Sequence, residues 1–79
     1  MKIVEDTTAL GHAVRARRKA LGVTQVELAG LAGVGERFVS EVERGKATAE
    51  TGKVLKLLGR LGLLVYLHPK GDLKDKAQS

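Results

Sequence analysis

Residues 22–46 read GVTQVELAGLAGVGERFVSEVERGK, two short apolar-patterned segments separated by a Gly-Val turn. Thr24 with Glu27 three positions on is the T-x-x-E arrangement of a capping box, in which each residue satisfies a backbone N–H that the helix start leaves orphaned. Val26, Leu28, Ala29, Leu31 and Ala32 carry the apolar content of this helix, and Gly33 ends it. Val34 is the apolar anchor of the turn. Gly35 begins the next helix without a side-chain oxygen to cap it, Phe38, Val39 and Val42 are its inward candidates, and Gly45 closes it. Two helices joined in this way let the first brace across a phosphate backbone while the second lies in the major groove of DNA. The stretch predicts a sequence-specific DNA-binding protein.

Upstream, residues 1–6 (MKIVED) contain a short apolar pair, Ile3-Val4, that could form an edge strand. Thr7 or Thr8 can cap a helix whose stripe is Leu10, Ala13, Val14, Ala16 and Leu21, running to about Ala20 before Gly22 stops it. Downstream, a fourth helix opens around Thr48 to Glu50 and uses Val54, Leu55, Leu57, Leu58 and Leu61. After Gly62 the pattern changes: Leu63, Leu64, Val65, Tyr66 and Leu67 form an apolar run that Pro69 stops, and its length and composition favour a strand. A lone strand leaves backbone donors and acceptors unpaired, so it needs Lys2–Glu5 of the same chain or the same segment of a second copy. The expected organisation is an N-terminal arm or short strand (1–7), a DNA-binding domain (8–62), a dimerisation strand (63–69) and a flexible polar tail (70–79). The expected fold is mainly α, four to five helices, with the short C-terminal strand pairing across a dimer.

Composition narrows the classes further. Seventy-nine residues make one small domain, burying roughly 60% of the surface of its unfolded chain. Apolar residues make up 43% with only one Phe and one Tyr, so the core must be aliphatic. The absence of cysteine excludes a disulfide framework and a thiolate metal site. No apolar run approaches the roughly 20 residues of a membrane span, and the N-terminus lacks the basic-then-apolar order of a secretory signal. The expectation is a cytoplasmic, nucleoid-associated protein. Net charge is +5, with Arg15, Arg17, Arg18 and Lys19 in one turn and Arg37, Arg44, Lys46, Lys53, Lys56 and Arg60 further on, a footprint suited to a polyanion. Catalysis has little support. His12 and His68 are not in ligand spacing, and Gly33-Val34-Gly35 joins two helices rather than a strand and a helix as a phosphate loop would. No enzyme activity, metal, cofactor or small-molecule ligand is expected.

The order GVTQVELAGLAGV at 22–34 and E-x-E-R-G-K at 41–46 resembles the XRE/Cro-like helix-turn-helix family, over about residues 10–61. The resemblance implies a lambda-repressor-like domain. The turn into an apolar strand directly after the fourth helix is similar to the HipB-type antitoxins, which end in a strand that pairs across the dimer and then a flexible tail. By this resemblance Gln25 contacts a DNA phosphate at the start of the second helix, and Glu36, Arg37, Ser40 and Glu41 occupy base-facing positions. Helical spacing sets 36, 37, 40, 41 and 44 broadly opposite Val39 and Val42. Arg37 is the strongest candidate, because a guanidinium bonds guanine O6 and N7 as a bidentate pair worth about 1–3 kcal/mol of discrimination. Glu36 and Glu41 would be repelled by phosphate unless they accept from cytosine N4 or orient an Arg; otherwise they are helix-surface charges. Phe38 either packs in the core or touches a thymine methyl.

Gly35 falls among the phosphate-contacting positions but departs from the family's usual Ser or Thr, which removes a cap and one hydroxyl contact. Arg44, Lys46, Thr48 and Lys53 follow the recognition helix, where cations and backbone N–H groups reach phosphates. Arg18 and Glu43 match the family's buried ion pair between the first helix and the end of the third, making Arg18 structural. The implied partners are double-stranded operator DNA, a second copy of the chain, and a HipA-like kinase toxin held inactive, with no membrane. The implied function is a repressor that autoregulates its operon as the antitoxin of such a pair. The alternatives are a stand-alone XRE-type repressor and a protein-interaction module with degenerate DNA binding.

Overall fold

The computed structural model describes residues 3–71. Its helices are α1 (Thr7–Ala20), α2 (Gln25–Ala32), α3 (Glu36–Glu43) and α4 (Thr51–Arg60), and no strand occurs among the described residues. The fold is all-α, with α3 packed against both α1 and α2, and α4 against α2.

Helix boundaries follow local chemistry. The capping box at α2 is present in both directions: Thr24 Oγ1 accepts from Glu27 N at 3.1 Å, and Thr24 N donates to Glu27 Oε1 at 2.9 Å. Gly33 ends α2 in the left-handed region (φ 67°), where a side chain would be strained, and Val34 N then reaches back to Ala29 O at 3.0 Å. The cap of α1 is Asp6 rather than Thr7 or Thr8, its Oδ1 accepting from Ala9 N at 2.8 Å. An ionised carboxylate caps at least as well as a hydroxyl, and it leaves the Thr7 hydroxyl free to donate to Gly45 O at 2.8 Å. Helix α4 starts at Thr51, just beyond the expected 48–50 window, with Glu50 at its cap position.

The core is aliphatic, as composition required: Val14, Leu28, Ala29, Ala32, Val39, Val42, Val54, Leu57, Leu58 and Leu61 are buried together, with Leu10, Val34, Phe38 and Leu63 packed at its edge. Val26 and Leu31, part of the helix's apolar content, are each 60% exposed. Helix α2 is apolar nearly all round, so periodicity could not choose its inner face; contact with α3 and α4 chooses Leu28, Ala29 and Ala32. Leu21 and Leu55 are likewise exposed.

The segment expected as a strand is irregular here. Leu63 is half-buried and its N–H closes the end of α4 on Leu58 O at 3.0 Å, whereas Leu64 (80%), Tyr66 (77%) and Leu67 (94%) are open to solvent. Among the described residues, Ile3–Glu5 make no backbone hydrogen bond to it. A strand exists only as part of a ladder, and the described residues offer this segment none. Met1, Lys2 and most of the expected tail (72–79) lie outside the described residues.

Candidate nucleic-acid interface

Helix α3 is fixed from its inner side. Val39 (0% exposed) and Val42 (2%) enter the core, and Glu43 beside them is the one buried charged residue among those described. Arg18 on α1 meets that carboxylate with two bonds, Nε to Oε2 at 2.6 Å and Nη2 to Oε1 at 3.0 Å. Its remaining nitrogen, Nη1, donates to Val23 O at 2.9 Å in the α1–α2 loop. The amide of Gln25 donates to Glu43 Oε1 at 3.0 Å. One carboxylate thus ties together α1, the start of α2 and the end of α3, and no buried side-chain polar atom among the described residues lacks a partner. Burial pushes the Glu43 carboxyl up, but bonds from Arg18 and Gln25 and the charges of Arg18 and Arg15 outweigh it and hold it below the usual range. The bond from Glu43 in turn raises Arg18.

Gln25 therefore differs from the reading that sent its amide to a phosphate. Arg18 leaves acceptor capacity on Glu43 Oε1, and that buried oxygen takes the amide. An NH2 group has two hydrogens, so one remains for another acceptor.

The outer side of α3 is polar. Glu36 and Arg37 are exposed, Arg37 with 88% of its side chain open, while Ser40 and Glu41 are half-buried. Glu41 Oε2 accepts from Lys46 Nζ at 3.1 Å and lies 3.7 Å from Arg37 Nε, one turn back along the helix. Gly35 stands at the cap position of α3 with no side-chain bond. Arg44 and Thr48 are exposed beyond the helix, as is Lys53 at the start of α4. The Lys53 ammonium is 3.6 Å from Glu50 Oε2 and 5.9 Å from the centroid of the Phe38 ring, which is half-buried and packed on the core. Arg37, Glu41 and Lys46 thus come together at the surface of α3, and Lys53 of α4 reaches the Phe38 ring of α3.

Two structural residues escaped the sequence reading. A Cβ on Gly11 would lie 2.5 Å from Val42 O and 2.6 Å from Glu43 O, so only glycine lets α1 cross the end of α3 this closely. Arg17 Nε donates to Leu61 O at 2.8 Å, fastening α1 to the last turn of α4. A glycine in the middle of a good helix was the available signal for the first, because it costs about 1 kcal/mol relative to Ala unless close packing requires it. Nothing local marked Arg17, whose acceptor is 44 residues away.

A helix-turn-helix with its second helix braced from within and charged on the outside is the architecture of a DNA-reading domain, and the family model for the helix-turn-helix matches residues 14–64. The chain belongs to that family, in its XRE/Cro-like form. It is 42% identical over 71 residues to an uncharacterized HTH-type transcriptional regulator, y4mF, of Sinorhizobium fredii (strain NBRC 101917 / NGR234), covering 90% of this chain and 93% of that one. Among solved structures, it is similar to the HipB(S29A)–O2 20mer complex with a TM-score of 0.81 and 26% identity, over 89% of this chain and 97% of that one. The same score and identity hold for a HipA–HipB–O2–O3 complex, over 89% and 99%. The protein is an HTH-type, DNA-binding transcriptional regulator of a family that is not enzymatic. Among the described residues no helix is long and apolar enough to cross a membrane.

Proposed function

We propose that this protein is a dimeric repressor that binds its own operator through α3 and acts as the antitoxin of a HipA-like kinase in the cytoplasm. The observation that carries the DNA-reading half is α3 itself: locked inside by Val39, Val42 and the Arg18–Glu43–Gln25 network, open outside at Arg37. Arg37 reads a guanine, with Ser40 and Glu36 beside it; Arg44, Lys46, Thr48 and Lys53 hold phosphates. The free hydrogen of the Gln25 amide and the N-terminal N–H groups of α2 address a further phosphate. The exposed run Leu64–Leu67 pairs with the same run of a second copy, setting two recognition helices about 34 Å apart. The antitoxin half is supported by the likeness to HipB in complex with HipA.

The test is binding to the chain's own upstream region at moderate salt against excess unrelated DNA. The expected result is a competition-resistant complex with two protected half-sites, base preference relaxed by Arg37→Ala, and a salt slope flattened by about one unit by Lys46→Ala. Binding that disappears under competition would return the domain to a protein-interaction role. For the toxin, co-expression with the product of the neighbouring gene should give a co-purifying, neutralised pair; failure of both leaves a stand-alone repressor.

A further inference from the structure

Glu41 is the one recognition-face carboxylate that the structure places between two cations. Its Oε2 accepts from Lys46 Nζ at 3.1 Å and lies 3.7 Å from Arg37 Nε. Lys46 is brought there by the backbone as well, its N–H donating to Glu41 O at 3.0 Å. The anion is the sheltered member: its side chain is 22% exposed, against 45% for Lys46 and 88% for Arg37. Both cations belong to the group assigned to DNA, so the carboxylate competes with phosphate and guanine for the same N–H donors.

We propose that Glu41 is a specificity-determining residue that holds Arg37 and Lys46 back from DNA of the wrong sequence. This rests on the DNA-reading role of α3 given above. On unrelated DNA the gain is a phosphate contact for each cation, and each must be taken from Glu41 while the carboxylate itself comes near the polyanion. At a matching site Arg37 makes two directed bonds to a guanine edge, which compensate the lost pairing. The same negative charge therefore weakens non-specific binding more than specific binding. It acts through Arg37 and Lys46, not by reading a base.

Glu41→Gln keeps the size and removes the charge. Binding of the full-length protein to its upstream fragment and to a random-sequence duplex of equal length is measured over a range of salt. The expected result is that Glu41→Gln binds the random duplex about five- to tenfold tighter, with a salt slope steeper by about one unit. Operator affinity should change less, so the ratio between the two falls. In a Lys46→Ala background the gain from Glu41→Gln should shrink, as it must for two groups that act on each other. An unchanged random-duplex affinity and slope overturns the proposal, and so does a collapse of operator affinity alone, which would make Glu41 a direct base contact. A wild-type protein with no competition-resistant complex would instead remove the DNA-reading role on which this one depends.

Discussion

The joint between α1 and α3 and the segment after Gly62 stand at opposite extremes of one small chain. At the joint, Gly11 allows backbone-to-backbone approach, and Glu43 is 8% exposed with Arg18 and Gln25 bonded to it. In the segment, Leu64, Tyr66 and Leu67 are more than three-quarters exposed although the two leucines are among the most apolar side chains present. A buried charge is tolerated at the joint because its partners come from the same chain. After Gly62 the described residues offer the apolar side chains no such cover. Hydropathy alone would have exchanged the two regions.

The comparison can be broken most forcefully at Glu43. Glu43→Ala leaves Arg18, its side chain only 11% exposed, without its carboxylate and should cost about 3–5 kcal/mol in urea unfolding; a loss below about 1 kcal/mol would mean that water reaches the guanidinium. The same carboxyl makes the joint acid-sensitive. Its pKa is lower in the folded chain than in the unfolded one, so its contribution is complete above the ordinary glutamate value of about 4.3 and disappears as pH falls through the depressed folded value. The capping-box carboxyl of Glu27 is lowered too, by the Thr24 backbone N–H first and the Thr24 side chain second, and loses its contribution over the same acid range. Glu43→Gln should flatten that acid limb while leaving the Glu27 part.

Next in size is Gly11→Ala, which drives a methyl group into the Val42 and Glu43 carbonyls and should cost about 1–3 kcal/mol. An unaffected melting temperature would show that α1 can slide along α3. Gly35→Ser offers α3 the side-chain cap it lacks, at a position with no atom within 4 Å of the new Cβ; it should stabilise by a few tenths of a kcal/mol. Comparably small for the fold is Val65→Pro, since the Val65 N–H donates to no backbone acceptor among the described residues. Its effect on chemical unfolding of the monomer should stay within about 0.5 kcal/mol, while sedimentation should show the dimer gone. Equal sedimentation of the two proteins would place the dimer contact elsewhere, most naturally on α4 with its exposed Leu55.

Much of this molecule is written locally. The capping box of Thr24 and Glu27, the Gly33 turn and the Val39–Val42 stripe of α3 each depend on residues within about one helical turn, and the order of the helices follows from them. The polar face that Glu36, Arg37, Ser40 and Glu41 share on α3 is legible for the same reason, since helical spacing sets which side chains share a face. Where local signals ran out, contacts between distant residues took over. The inner face of α2 was chosen by α3 and α4, because a helix apolar nearly all round beyond its first turn has no face of its own. The amide of Gln25 turned to Glu43 and the guanidinium of Arg17 crossed to the end of α4, each pairing set by which atoms packing had brought within reach. Short-range hydrogen bonding and the period of the helix are properties of neighbouring residues; the partner of a long polar side chain is a property of the assembled core.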